Sequence, residues 1–230
     1  PARLPVQLVS RPDLNFRGYM GTLAAGILKP GDTLKVLPSG KQSVVERIVT
    51  FDGDLAQAQA GQAITVTLQD EIDISRGDLL VAPDAPTAVS KRVLAHVVWM
   101  AESPLTTGRL YDIKLATKKT QGLFSSIRHR IDVNTLEQHA AIELKLNEIG
   151  LVELDLTSAV GVDPYTQVRD TGSFIVIDRL SNVTIGAGMV VEALADTVET
   201  KQAFSEFELE FNALVRKHFP HWQALDISQL

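Results

Sequence analysis

The sequence predicts an all-β protein: two antiparallel β-barrel modules in tandem, followed by an amphipathic helix at the C-terminus. Short runs alternating apolar and polar residues recur along most of the chain, and turn residues separate them at near-regular spacing, the pattern of a barrel or sandwich. Only near the end does the apolar period change from two to that of a helix.

In the first module Leu4, Val6 and Leu8 alternate with Pro5, Gln7 and Val9, giving one apolar face. Lys29-Pro30-Gly31-Asp32, Pro38-Ser39-Gly40-Lys41 and Asp52-Gly53-Asp54 read as hairpin connections, because proline presets φ and glycine accepts a positive one. Residues 62–69 (QAITVTLQ) alternate again, and the module closes through Ile74-Ser75-Arg76-Gly77-Asp78 into Leu79-Leu80-Val81. Glycine recurs between Gly18 and Gly31 inside strand-like sequence, where it marks bulges, barrel corners or close backbone approach. A small, sharply coiled barrel is expected.

Residues 82–89 (APDAPTAV) read as an extended linker, since Pro83 and Pro86 disfavour helix. The expected domains are therefore a first barrel over 1–84, a second over 85–195 and a helical tail over 196–230. In the second barrel the pattern predicts strands over 92–100, 108–117 and 127–136, each bounded by Gly, Pro, Ser or Thr. Ile142, Leu144 and Leu146, alternating with Glu143, Lys145 and Asn147, predict a further strand, and Val152, Leu154 and Leu156 its partner, each with one buried and one wet face. After a turn at Pro164, residues 173–180 and 188–194 complete the module.

In the tail, Phe204, Phe207, Phe211, Leu214, Val215 and His218 or Phe219 fall at helical spacing. Ser205 and Glu208 stand in capping-box register, Arg216-Lys217 close the last turn and Pro220 ends it. The commoner use of such a stripe is burial within the chain, against the second barrel or an upstream domain; docking on another protein is the alternative.

At 230 residues the chain can bury a self-sufficient core without staples. It has no cysteine, which removes thiol catalysis, redox pairs and cysteine-based zinc sites and fits a reducing, cytoplasmic compartment. Lys+Arg 22 against Asp+Glu 28 leaves a net charge of -6, which argues against a surface built for nucleic acid and for a protein or small-molecule partner. No apolar stretch approaches the roughly 20 residues of a membrane helix, and no membrane association is expected. The chain opens at Pro1 directly into strand-like sequence, which suggests a segment upstream.

Motifs for chemistry are few. No phosphate loop, GxSxG elbow, HExxH or EF-hand loop occurs, and no residue is assigned to catalysis, to a cofactor or to a metal. His218 and His221 are three apart, but Pro220 breaks the helix between them and no third ligand is in view, so metal binding there is not expected. Asp70-Glu71-Ile72-Asp73 reads as an acidic solvated turn. Arg128-His129-Arg130 suits an anion by its guanidiniums, yet its alternation with Ile127 and Ile131 favours an exposed strand edge whose charges discourage sheet aggregation.

Arg17, Gly18, Gly21, Gly26, Gly31 and Asp32 resemble the second-domain signature of the translational GTPase superfamily typified by elongation factor Tu. Ile74-Ser75-Arg76-Gly77 is similar to the segment that ends that domain, and residues 184–190 (TIGAGMV) to the closing strand of the third. Residues 5–26, 49–81, 132–137 (DVNTLE) and 174–190, with the tail motif HFPHW, resemble in particular the large, GTP-binding subunit family of bacterial sulfate adenylyltransferases, so the resemblance covers essentially the whole chain.

It implies two six-stranded-type antiparallel barrels like the second and third domains of elongation factor Tu. It also implies that a GTP-binding domain stands upstream and holds the GTP and Mg, so that this part alone is inactive. The family's catalytic small subunit makes adenosine 5′-phosphosulfate and pyrophosphate from ATP and sulfate. The barrels would then serve as docking and relay surface for that subunit and for their own GTP-binding domain. Two alternatives differ in class: a translation-factor fragment whose barrels hold aminoacyl-tRNA, against which the acidic balance counts, and an independent enzyme, against which the empty motif search counts.

Overall fold

The computed structural model describes residues 1–13, 16–195, 211–212 and 214–217. Pro1–Ala195 is one compact unit and Asp196–Leu230 a second. The strands of the first sheet system are β1 (Arg3–Pro5), β2 (Leu8–Asp13), β3 (Phe16–Thr22), β4 (Ile27–Leu28), β5 (Thr33–Leu37), β6 (Gln42–Thr50), β7 (Gly53–Asp54), β8 (Ala58–Gln59), β9 (Ala63–Leu68) and β10 (Leu79–Val81). They pair in the order β1-β10-β5-β6-β9-β3-β2, with β7 on β6 and a separate β4-β8 ribbon. The Arg3 N–H donates to Ala25 O at 3.0 Å and the Ala24 N–H to Arg3 O at 2.7 Å, which ties β1 to the chain leaving β3 and closes the barrel. Its interior is aliphatic, around Leu4, Val36, Ile48, Val66 and Leu80, with Tyr19 as the one large ring.

The N-terminal alternation does not run unbroken. Leu4 and Val6 are buried, but so is Pro5, while Leu8 is exposed. The physical reason is a change of partner: Val6 N–H donates to Asp78 O beside β10, and Gln7 N–H to Met20 O of β3. A chain that crosses between neighbours resets which side faces inward.

Two signature glycines are required by space and backbone. A Cβ on Gly21 would lie 2.2 Å from the Pro5 carbonyl oxygen, and Gly26 combines φ +77 with a would-be Cβ 2.6 Å from the Pro1 carbonyl carbon. Asp32 accepts the Lys29 N–H at 2.8 Å and fixes the turn. The signature therefore builds the barrel rather than a ligand site.

The second barrel comprises β11 (Ala88–Trp99), β12 (Leu110–Leu115), β13 (Lys118–Ile131), β14 (Gln138–His139), β15 (Ile149–Val162), β16 (Ser173–Ile177) and β17 (Thr184–Leu194). The pairing order β12-β16-β17-β11-β15-β13, with β13 returning to β12, closes a ring of six strands, and β14 hangs on β13. Closure leaves no free sheet edge in the ring. Trp99, Tyr111 and Phe124 pack through its middle, the first pair edge to face and the second tilted, at centroid separations of 5.8 Å each, and Trp99 Nε1 donates to Ser103 O at 2.8 Å.

Several strand expectations shift. β11 starts at Ala88, so the last two residues of the expected linker are paired with Val162 and Gly161. The strand expected to run to Leu136 ends at Ile131, where Asp132 Oδ1 accepts the N–H groups of Asn134 and Thr135, and Leu136 takes φ +62. Residues 142–146 are not a strand: Ile142 is 89% exposed, and only Leu144 is buried, in an isolated bridge to Leu105. Val152, Leu154 and Leu156 do form a strand, but their partners are β11 and β13. β16 stops at Ile177 because Asp178 Oδ1 accepts from the N–H groups of Leu180 and Ser181.

In the second unit residues 211–212 and 214–217 are helical, with Phe211 and Leu214 exposed and Val215 buried. The rest of the expected amphipathic helix, with its capping box, His218, Pro220 and His221, lies outside the described residues.

Candidate functional site

Two places in Pro1–Ala195 stand out: the junction of the barrels, with a cleft beside it, and the loops at the far end of the second barrel. The junction is anchored by a buried ion pair. Arg3, 2% exposed, sends Nη2 to Asp163 Oδ1 at 3.0 Å and Nε to Oδ2 at 3.1 Å, and Asp163 is fully buried. Thr87 donates to Asp163 Oδ1 at 2.9 Å and Thr171 to Oδ2 at 2.6 Å. Burial opposes the carboxylate charge, but the hydrogen bonds from Arg3, Thr171 and Thr87, and the Arg3 charge, outweigh it and hold the group below the ordinary carboxylate range. Leu37, Leu79 and Val81 form a small apolar cluster with Ala85, and Leu37 and Leu79 also press on Gly161 of β15.

Beside this junction lies a cleft of about 860 Å³. Pro5, Gln7, Thr22 and Ala24 of the first barrel form one wall. The opposite side is the outer face of the second barrel, where Val98, Ala187, Ile175 and Lys114 are successive register partners across β11, β17, β16 and β12. The 163–172 loop supplies Tyr165, Arg169 and Asp170, and is pinned where Tyr165 N–H donates to Val190 O at 2.8 Å. The Arg169 guanidinium carbon stands 6.0 Å from the centre of the Tyr165 ring.

The far-end loops, 100–109, 132–148 and 178–183, leave the same ends of antiparallel strands, away from Asp163 and from Lys118, which packs on Gly77 of the first barrel. They expose Met100, Val133, Leu136, Ile142, Leu180 and Val183, with Leu180 at 91%. Carboxylates fix their shape: backbone N–H groups hold Asp132, and the Ser181 backbone and hydroxyl hold Asp178, below the usual range. Glu148 is likewise lowered by the Lys145 N–H first and then by Arg130. Apolar side chains displayed on loops of fixed shape are the usual make-up of a protein-binding surface.

The charged runs singled out in the sequence are internally committed. Along residues 126–131 β13 pairs with β15, with a bulge between Ile127 and His129, so this is not a free edge. Arg128 ion-pairs with Glu153, and Arg130 with Glu148 at 2.6 Å, so each guanidinium already faces a carboxylate of its own barrel. Glu153 also accepts from Arg92 at 2.7 Å. In the acidic run Asp70 accepts from Ser43 Oγ at 2.8 Å, Glu71 faces Arg11 at 3.6 Å and Asp73 faces Lys41 at 3.5 Å. Among the described residues no group of three His, Asp or Glu side chains could hold a metal, and His218 and His221 lie outside them. No described helix is long and apolar enough to cross a membrane. Sequence reasoning missed Arg3, Asp163 and the cleft; partners 160 positions apart leave no local pattern.

A closed six-stranded barrel packed on a second antiparallel barrel places the chain in the class of elongation-factor-type tandem barrels. Residues 92–191 match the GTP-eEF1A C-terminal domain-like family. Crystal structures of Sup35 with GDP and with GMPPNP superpose at TM-score 0.76, covering 84% of this chain and 48% and 47% of theirs, at 20% identity, a likeness of fold. The chain is 76% identical over its full length to sulfate adenylyltransferase subunit 1 of Tolumonas auensis, covering 49% of that protein. It is 66% identical over 99% of its length to subunit 1 of Aeromonas hydrophila and 58% to that of Vibrio cholerae serotype O1, 48% of each being covered. The chain belongs to the sulfate adenylyltransferase subunit 1 family and corresponds to the C-terminal half of its members. It spans about half the length of the curated relatives it matches.

Proposed function

We propose that this chain is the barrel portion of the GTPase subunit of a sulfate adenylyltransferase, working by contact rather than by catalysis. In this reading the remainder of the subunit binds GTP and Mg and hydrolyses GTP in the cytoplasm. A separate catalytic subunit forms adenosine 5′-phosphosulfate and pyrophosphate from ATP and sulfate. Formation of that mixed anhydride is uphill, and a nucleotide-driven change in how the barrels sit supplies a route for coupling. The observation that carries the proposal is the 76% identity along the whole chain to a protein named as one subunit of this enzyme. The far-end loops of the second barrel support the docking role, since they present fixed apolar side chains beyond a ring that needs none of them for closure. The 20% identity to Sup35 favours no translational role.

The test is association of the 230-residue chain with the catalytic subunit, read by calorimetry or analytical ultracentrifugation. Binding that weakens about tenfold or more in Leu136→Asp, Ile142→Asp or Leu180→Asp is expected, as for substitution at the centre of an interface. No association with wild-type chain, or association indifferent to all three changes, sinks the docking role.

A further inference from the structure

The cleft between the barrels has the make-up of a ligand site. A volume of about 860 Å³ lies within the usual span of small-molecule sites, which favour domain junctions and combine an apolar lining with a few convergent polar groups. Val98, Ala187 and Ile175 form a continuous apolar row, because each is the register partner of the next on neighbouring strands. The row ends at Lys114, the partner of Ile175. With strands spaced about 4.8 Å apart, it runs roughly 14 Å from apolar to cationic end.

Arg169 adds a second positive charge, its guanidinium held over the Tyr165 ring. Among the described residues neither Lys114 nor Arg169 has a carboxylate within ion-pairing distance, in contrast to Arg92, Arg128 and Arg130 on the same barrel. Asp170 is the one carboxylate among the described lining residues, so these carry a net positive charge in a chain whose total is -6. Gln7 and Thr22 across the cleft and Ser173 on its floor offer neutral polar groups.

We propose that this cleft binds an organic phosphate of mononucleotide size, its apolar body along Val98, Ala187 and Ile175 and its phosphate between Lys114 and Arg169. A doubly charged phosphate matches two cations, one a planar fork and one a point charge, better than a single carboxylate does. The site is distinct from the docking face and does not depend on it.

AMP is titrated into the 230-residue chain and into the full-length subunit, with adenosine and inorganic phosphate as separate arms, followed by calorimetry and backbone amide shifts. The expected result is saturable AMP binding below about 1 mM, with shifts around residues 114–117, 165–175 and 187–189. Adenosine and inorganic phosphate should each bind at least tenfold more weakly. Lys114→Gln and Arg169→Gln should each weaken AMP about tenfold or more, and Ala187→Leu, which fills the apolar row from the barrel's outer face, should abolish binding while melting temperature stays as in the wild type. Absence of saturable binding to either protein overturns the proposal. So do shifts confined elsewhere, indifference to the three substitutions, or inorganic phosphate binding as tightly as AMP.

Discussion

Replacing Asp163 with asparagine removes the negative charge at the barrel junction while keeping the shape and one of the two acceptor oxygens, so that Thr87, which donates to Oδ1, and Thr171, which donates to Oδ2, no longer both have their acceptor. Arg3 is then left 2% exposed without a counter-charge. Breaking a buried pair on one side costs about 3–5 kcal/mol, most of it the desolvation of the orphaned ion. For a body of this size each kcal/mol lowers the melting temperature by about 2–4 °C, so a drop of roughly 6–20 °C is expected by calorimetry or circular dichroism.

The double variant Arg3→Met/Asp163→Asn removes the orphan, and its stability should exceed that of Asp163→Asn by at least about 1 kcal/mol. The pH dependence carries a sign. Because the Asp163 carboxyl is held below its ordinary value, its contribution is fully present above the unfolded carboxylate range and is lost as pH falls through the folded value. The gap between wild type and Asp163→Asn should therefore be constant above about pH 5 and narrow under acid. A single variant within about 1 kcal/mol of wild type, or a double variant whose losses simply add, would refute the account of the junction.

Gly21→Ala places a methyl group 2.2 Å from the Pro5 carbonyl oxygen and 3.1 Å from Leu4 Cδ1. Backbone must shift, and a loss of about 1–3 kcal/mol in urea unfolding is expected; a neutral outcome would show that β1 is not held against β3 as described. Tyr111→Phe should be neutral within about 0.5 kcal/mol or slightly stabilising, because no group, the neighbouring Arg109 guanidinium included, meets the buried hydroxyl with full hydrogen-bond geometry among the described residues. A loss above about 1 kcal/mol would mean that the hydroxyl is satisfied.

Much of the fold was legible because its signals are local. Turn glycines at Gly31, Gly40 and Gly53, each with positive φ, are visible as residue types. So is the alternation of Val152, Leu154 and Leu156, whose side chains are all buried. The same rule misled at Ile142, Leu144 and Leu146: alternation shows that a strand could have one wet face, but not that partners exist on either side, and there the backbone is spent on turns held by Glu148. Strand ends at Ile131 and Ile177 were hidden for a related reason. A single aspartate following each takes the next N–H groups out of the ladder. The junction and cleft were illegible in kind, since Pro5, Lys114, Arg169 and Ala187 meet only once both sheets have closed.

A charge whose counterpart lies 160 positions away has a genetic consequence. Joining either barrel to one that lacks the matching residue leaves a stranded guanidinium at Arg3 or a stranded carboxylate at Asp163. The loops around Leu136 and Leu180 are held more locally, Asp132 accepting from Asn134 and Thr135 and Asp178 from Leu180 and Ser181. The junction of the barrels thus depends on residues at opposite ends of the unit, whereas each of these loop turns depends on residues two or three positions apart.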